Sequence, residues 1–338
     1  MTRILVGVLF VCAASATLFT CAASAQLPRV GDINFYGLRK LTEGQILAAA
    51  HFGTGDTVPG SRVQVEDRIT ALPDVMAAHV QSVCCEGGHT TIFIGIQERG
   101  QTSVDFREAP SGKAALPVDL MTHYREYSGA LLRAQIDGTA SASNAIIRRD
   151  EERFRVFAEA NILKLRAELK TGPDEEQRAA AATVIAYSAN KKSAVDDLRF
   201  ALQDPDESVR ANALRGLASL AVAARREPAL GIRIAPADLV GLLNSVVLSD
   251  RMESTRVLLA LTERQNAAAL DLIRERALPA LAEMARWQTL SYAQPPFQLL
   301  GRVAGLKDTQ VNDSWEKGDR EAVIQQALNS APKKPGLQ

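Results

Sequence analysis

Adjacent cysteines, Cys84 and Cys85, precede His89 by a few residues. Two thiolates and an imidazole suit a soft metal, but neighbouring ligands strain a tetrahedral site, whose cysteines are usually two or more residues apart. On a strand, adjacent side chains also point to opposite faces, so one cysteine would be buried and the other exposed. Three readings stay open: a plain hairpin position, a disulfide (vicinal or between molecules), and a metal-binding pair. The histidines are His51, His79, His89 and His123, and no two have the spacing of a zinc pair on one helix. There is no glycine-rich phosphate loop and no Gly-x-Ser-x-Gly elbow. The sequence therefore predicts no catalytic residue, no bound cofactor and no metal centre.

A second set of side chains recurs at a fixed spacing. Arg178, Arg210 and Arg256 each stand six residues after a turn residue, namely Gly172, Asp204 and Asp250. A glutamate three residues into each turn suits the positive end of a helix. Pro173 and Pro205 would then occupy the first helical position, where a missing N–H costs nothing.

The elements that must carry these residues follow from composition and pattern. In 338 residues, 46% are hydrophobic and only 5% aromatic, which favours close-packed helices over a β-sandwich. Lys plus Arg equals Asp plus Glu at 39 each, so no global field draws the chain to nucleic acid.

Residues 1–25 read as a secretory signal peptide: Arg3, an apolar run to Cys21, and Ala23-Ser-Ala25 as the cleavage triplet. Cleavage after Ala25 predicts a periplasmic or secreted protein with no transmembrane segment. The alternatives are a retained membrane anchor and lipidation at Cys21, although Thr20 departs from a lipobox.

Residues 26–100 predict a small α+β module in the order β-α-α-β-β. Val30–Tyr36 alternates like a half-buried strand, and Thr42 with Gln45 forms a capping box for a helix that Gly53-Thr-Gly-Asp56 ends. Val65, Ile69 and Leu72 share one face of a second helix. Met76–Val83 and Thr91–Gln97 pair as a hairpin. In Ile33-Asn-Phe-Tyr-Gly37, Gly55-Asp56, Leu72-Pro-Asp-Val-Met76 and Ile92-Phe-Ile-Gly-Ile-Gln-Glu98, the module resembles a POTRA domain of outer-membrane assembly and secretion proteins. The resemblance implies a three-stranded sheet covered by two helices, with an edge that could take up a partner's strand. The bland alternative is a sheet that docks on the next domain.

Residues 101–143 read as a linker containing one helix, from Leu120 to Ile136. Residues 144–328 read as serial helix pairs with turns 32 and then 46 residues apart, an insertion at Arg225–Ala237, a fourth pair over Leu272–Leu306, and a capping helix at Asp319–Leu328. Residues 329–338 read as a flexible tail. Asp204-Pro-Asp-Glu-Ser-Val-Arg210-Ala-Asn-Ala213 resembles a HEAT repeat. That resemblance implies an all-α superhelical solenoid in which Asp204, Asp250 and the three arginines form a structural ladder between units, a ligand-binding arginine row being the alternative.

Together these features predict an exported scaffold or adaptor that binds protein partners in the cell envelope. The alternatives are assistance to outer-membrane protein assembly or secretion by strand capture, and a helical-repeat enzyme of lyase type.

Overall fold

The computed structural model describes residues 28–330, residues 87 and 140 excepted. The expected leader, with Cys12 and Cys21, and residues 331–338 of the expected tail lie outside the described residues. No described helix is long and apolar enough to cross a membrane.

The N-terminal module comprises β1 (Val30–Tyr36), α1 (Glu43–Ala50), α2 (Arg62–Thr70), β2 (Val75–Glu86) and β3 (His89–Glu98). The strand order is β1-β3-β2, with β1 parallel and β2 antiparallel to the central strand. Thr42 accepts from Gln45 N while the Gln45 side chain bonds back to the Thr42 amide, closing the predicted capping box. The helix ends earlier than its glycines suggest: His51 adopts a left-handed φ of 61° and its N–H bonds Leu47 O.

Side-chain alternation divides the sheet between two cores. Ile92, Ile94 and Ile96 pack with Ile46, Ala50, Val65 and Ile69 under α1 and α2. Phe93 and Tyr36 face the other way and join the core of the helical region. The strand β3 is thus buried on both faces, as a central strand covered by helices on each side must be. Buried Glu98 ties down the loop after β1 by accepting the amides of Arg39 at 2.8 Å, Lys40 at 3.0 Å and Leu41 at 2.9 Å. Burial pushes its carboxyl pKa up, but the backbone donors outweigh it and hold the group below the usual range.

The helices are α3 (Val118–Ile136), α4 (Ala145–Thr171), α5 (Glu175–Ile185), α6 (Lys191–Ala201), α7 (Glu207–Arg226), α8 (Pro236–Leu242), α9 (Leu248–Thr262), α10 (Ala267–Arg276), α11 (Leu278–Ala285), α12 (Leu290–Val303), α13 (Asp308–Glu316) and α14 (Arg320–Asn329). Non-helical angles at Asn161 divide α4 into two stretches. The pairs are α4–α5, α6–α7, α8–α9 and α11–α12, and the second helices α5, α7, α9 and α12 pack side by side in series. Residues 101–117, read as a linker, form a packed strap over the first two turns. Gly112 N bonds Thr171 O at 2.8 Å, and Arg107 N bonds Gln203 O at 2.8 Å. A Cβ on Gly112 would lie 2.4 Å from Thr171 O, so only glycine fits so close a crossing. Helix α3 then packs against α4 and α5, with Tyr124 Oη accepting from Asn212 Nδ2 of α7 at 2.8 Å.

Candidate functional site

The second helices α5, α7 and α9 each open on a turn that leaves backbone carbonyls to be satisfied, and a buried arginine satisfies them. Arg178 donates through Nη1 to Gly172 O at 3.1 Å, and through Nε and Nη2 to both carboxylate oxygens of Asp204, at 2.9 and 3.0 Å. Arg210 repeats this one unit later: Nη1 bonds Asp204 O at 2.8 Å, and Nε and Nη2 bond both oxygens of Asp250 at 2.9 Å. Both pairs are bidentate and almost fully buried, the geometry in which arginine surpasses lysine.

Arg256 does not extend this ladder. It is half-exposed and pairs with Glu253 one turn earlier in its own helix. The third ladder arginine is Arg251, whose Nε bonds Ser245 O at 2.6 Å, again six residues back. The turn therefore falls at Ser245, and Asp250 lies inside α9. Ser245 occupies the place of Asp204 but brings no carboxylate. Asp250 supplies one from five residues on and accepts the Ser245 hydroxyl at 2.7 Å. The helix N-caps also differ from expectation. Asp174 and Asp206 cap α5 and α7, which puts Pro173 and Pro205 just outside the helices.

The ladder ends at a seam with the sheet. The Arg251 guanidinium carbon lies 4.5 Å from the Tyr36 ring centroid, and Tyr36 Oη donates to Val246 O at 2.9 Å. Burial pushes the Tyr36 phenol pKa far up, so it stays a donor. Asn34 Nδ2 donates to Thr289 Oγ1, and Asn34 Oδ1 accepts from Gln288 N, both at 2.8 Å. Trp287 Nε1 donates to Phe35 O at 3.1 Å, and Phe93 lies edge-on to Trp287 at 5.0 Å. At Gly95 a Cβ would come within 2.2 Å of Val246 O. Across the seam, His79 Nε2 lies 2.9 Å from Glu207 Oε2. That bond outweighs burial and holds the Glu207 pKa at about 2.

The family described as HEAT repeats matches residues 162–245. The helix pairs within residues 162–245 are of HEAT-repeat type. No curated protein matches the chain. HEAT repeats in general are protein-interaction scaffolds.

The helix register moves Arg256 out of the ladder and into a second arginine series with Arg215, which the sequence analysis did not single out. Counting from the N-caps Asp174, Asp206, Val247 and Thr289, the ladder position is the fourth residue and holds Arg178, Arg210, Arg251 and Ala293. The ninth residue is Thr183, Arg215, Arg256 and Gln298. Arg215 and Arg256 are therefore equivalent residues of neighbouring repeats. The signal was present as two Arg-x-x-x-x-Arg spacings, Arg210 to Arg215 and Arg251 to Arg256.

Among the described residues, His123, Glu126 and Asp150 bring potential metal-ligand atoms within 4.8 Å of one another. Arg149 bonds both Asp150 oxygens and Glu126, and Arg153 bonds the His123 ring. The Arg149 guanidinium already occupies both carboxylates and Arg153 the imidazole, so cationic side chains stand where a dication would have to sit. Near the hairpin, the β2–β3 ladder slips between Val83 and Glu86, so Cys84 and Cys85 sit in a bulge rather than a regular strand. Cys84 is disulfide-bonded, while the Cys85 side chain lies outside the described residues.

Proposed function

We propose that this protein is an exported, non-catalytic scaffold that binds protein partners in the cell envelope through its HEAT array, with the POTRA-like module as a docked part of the same body. The observation that carries this reading is the seam. Buried polar bonds through Asn34, Tyr36 and Trp287 fix the sheet on the repeat turns, so the two modules can present a single rigid surface. A leader of signal-peptide type accounts for export. The test is expression of the tagged full chain in a diderm bacterium, followed by fractionation and mass measurement. A periplasmic chain beginning at Gln26 and crosslinking reproducibly to an envelope protein supports the reading; an unprocessed cytoplasmic chain refutes it.

A second reading, assistance to outer-membrane protein assembly or secretion, draws support from one strand edge. The outer side of β1 is engaged by Trp287 at Phe35 O and by Glu283 at Gly37 N. The outer side of β2 meets only Glu66, which accepts the Val80 amide at 2.8 Å among the described bonds. An added strand would pair there. Strand-forming peptides that leave the amide signals of Ala78 and Ser82 unmoved would rule it out.

A further inference from the structure

We propose that Arg215 and Arg256 form a receptor for carboxylate side chains, so that the open face of α7 and α9 docks an acidic, extended peptide segment of a partner protein. The inference rests on the scaffold reading and names the partner's chemistry. Both guanidiniums converge on one carboxylate oxygen: Arg215 Nε lies 3.2 Å and Arg256 Nη1 2.7 Å from Glu253 Oε1. Glu253 is itself buried, whereas the two arginines are 52% and 50% exposed. Two cations thus share one anion and leave a positive charge facing solvent. Donors remain as well. Arg215 spends Nη1 on Asn212 Oδ1 at 2.9 Å, which leaves its Nη2, and the Nε and Nη2 of Arg256, without acceptors among the described residues.

The surroundings favour an extended peptide. The two arginines recur at the repeat spacing, so a chain crossing the repeats meets them one after the other. One turn beyond Arg215 stands the small, exposed Ser219, and the equivalent position in the next repeat, Ala260, is also small. Gln298 continues the series with an amide. In the first repeat, where α3 packs on α5, the position is the buried Thr183; on α7, α3 reaches Asn212 through Tyr124 but leaves Arg215 half-exposed. A nucleic acid would need a broader positive field than a chain with equal numbers of acidic and basic residues provides.

The test is fluorescence anisotropy of a labelled hexaglutamate peptide with the full chain, against hexaglutamine as the neutral control. Hexaglutamate should bind, lose affinity as salt rises, and bind at least tenfold more weakly to the Arg215→Ala/Arg256→Ala double variant, while hexaglutamine binds neither. The single reversal Arg256→Glu, at a half-exposed position, should give a comparable loss by a second route. Binding unchanged by either variant, no binding to the unaltered chain, or competition by inorganic phosphate as effective as the peptide would each overturn the proposal. The two readings fail separately: a double variant that still crosslinks to the same envelope protein as the unaltered chain removes this receptor and leaves the scaffold standing.

Discussion

Arg251 stacks its guanidinium on the ring of Tyr36, 4.5 Å from the centroid, so the last arginine of the ladder is also the floor of the sheet module. Both side chains are almost fully buried. Arg251 also approaches Glu283 at 3.6 Å, and Glu283 in turn accepts Gly37 N and pairs with Arg39. One arginine therefore couples a repeat turn, the next helix pair and the first strand. Tyr36→Phe should remove the bond to Val246 and cost about 1 kcal/mol in urea unfolding. Tyr36→Ala should cost about 3–5 kcal/mol, because it also empties the ring's place in the seam.

Ladder and surface arginines should behave oppositely. Arg210→Ala leaves Asp250 charged, buried and short of its bidentate partner, and should cost about 3–5 kcal/mol. Arg256→Ala removes a half-exposed pair and should change stability by less than about 0.5 kcal/mol. Equal losses in the two variants would return Arg256 to the ladder.

Glu168 should make stability fall as pH rises. It is fully buried, neither carboxylate oxygen has a hydrogen-bond partner among the described residues, and a Cβ on Gly172 would overlap its Oε1. Burial, reinforced by Asp174 and opposed by Arg178, raises its pKa to about 7. The folded state therefore prefers the neutral acid. Its contribution is fully present below the ordinary carboxylate pKa and is lost as pH climbs through about 7. Glu168→Gln should flatten that pH dependence and raise stability at pH ~8 by roughly 2–3 kcal/mol; an unchanged slope between pH ~5 and ~8 would show that another group is responsible.

Glu98 has the opposite sign. Its pKa is held below the ordinary value by the amides after β1, so its stabilisation is present above the ordinary pKa and disappears as acid protonates it in the folded state. Glu98→Gln should cost about 1–3 kcal/mol at neutral pH and little in acid. Chemical denaturation at the two pH values distinguishes this from a uniform packing loss.

Much of the architecture was legible because local chemistry declares it. Period-two alternation, the Thr42–Gln45 box and the hairpin signals lead to β-α-α-β-β, and Asp204-Pro-Asp-Glu with Arg210 leads to paired helices. The third repeat was misread for a definable reason: Asp250-Arg-Met-Glu253 imitates the Asp204 turn, while the true turn at Ser245 lacks the acid that marks its neighbour. The seam was not legible at all. Phe93 and Gly95 alternate with Ile92 and Ile94 as in any buried strand, and nothing in that pattern says which distant residues cover the second face. Residues 101–117 read as linker because glycine, proline and charge also suit a strap that spends its amides on other segments.

The seam also orders the events of assembly. Asn34 meets Thr289 across 255 residues of chain, so a chain threading from its N-terminus completes its sheet core early but cannot seat the sheet until the last helix pair has emerged. Contacts of such separation form slowly, since long loops must close first. Until then Phe93 and its side of β3 lack the cover of Trp287 and Tyr292, and that face is open to whatever binds a bare sheet. Loss of the C-terminal repeats would hold it in that state. The final helix pair thus acts as a proofreader for the first strand: a chain truncated at its end declares the defect at its beginning.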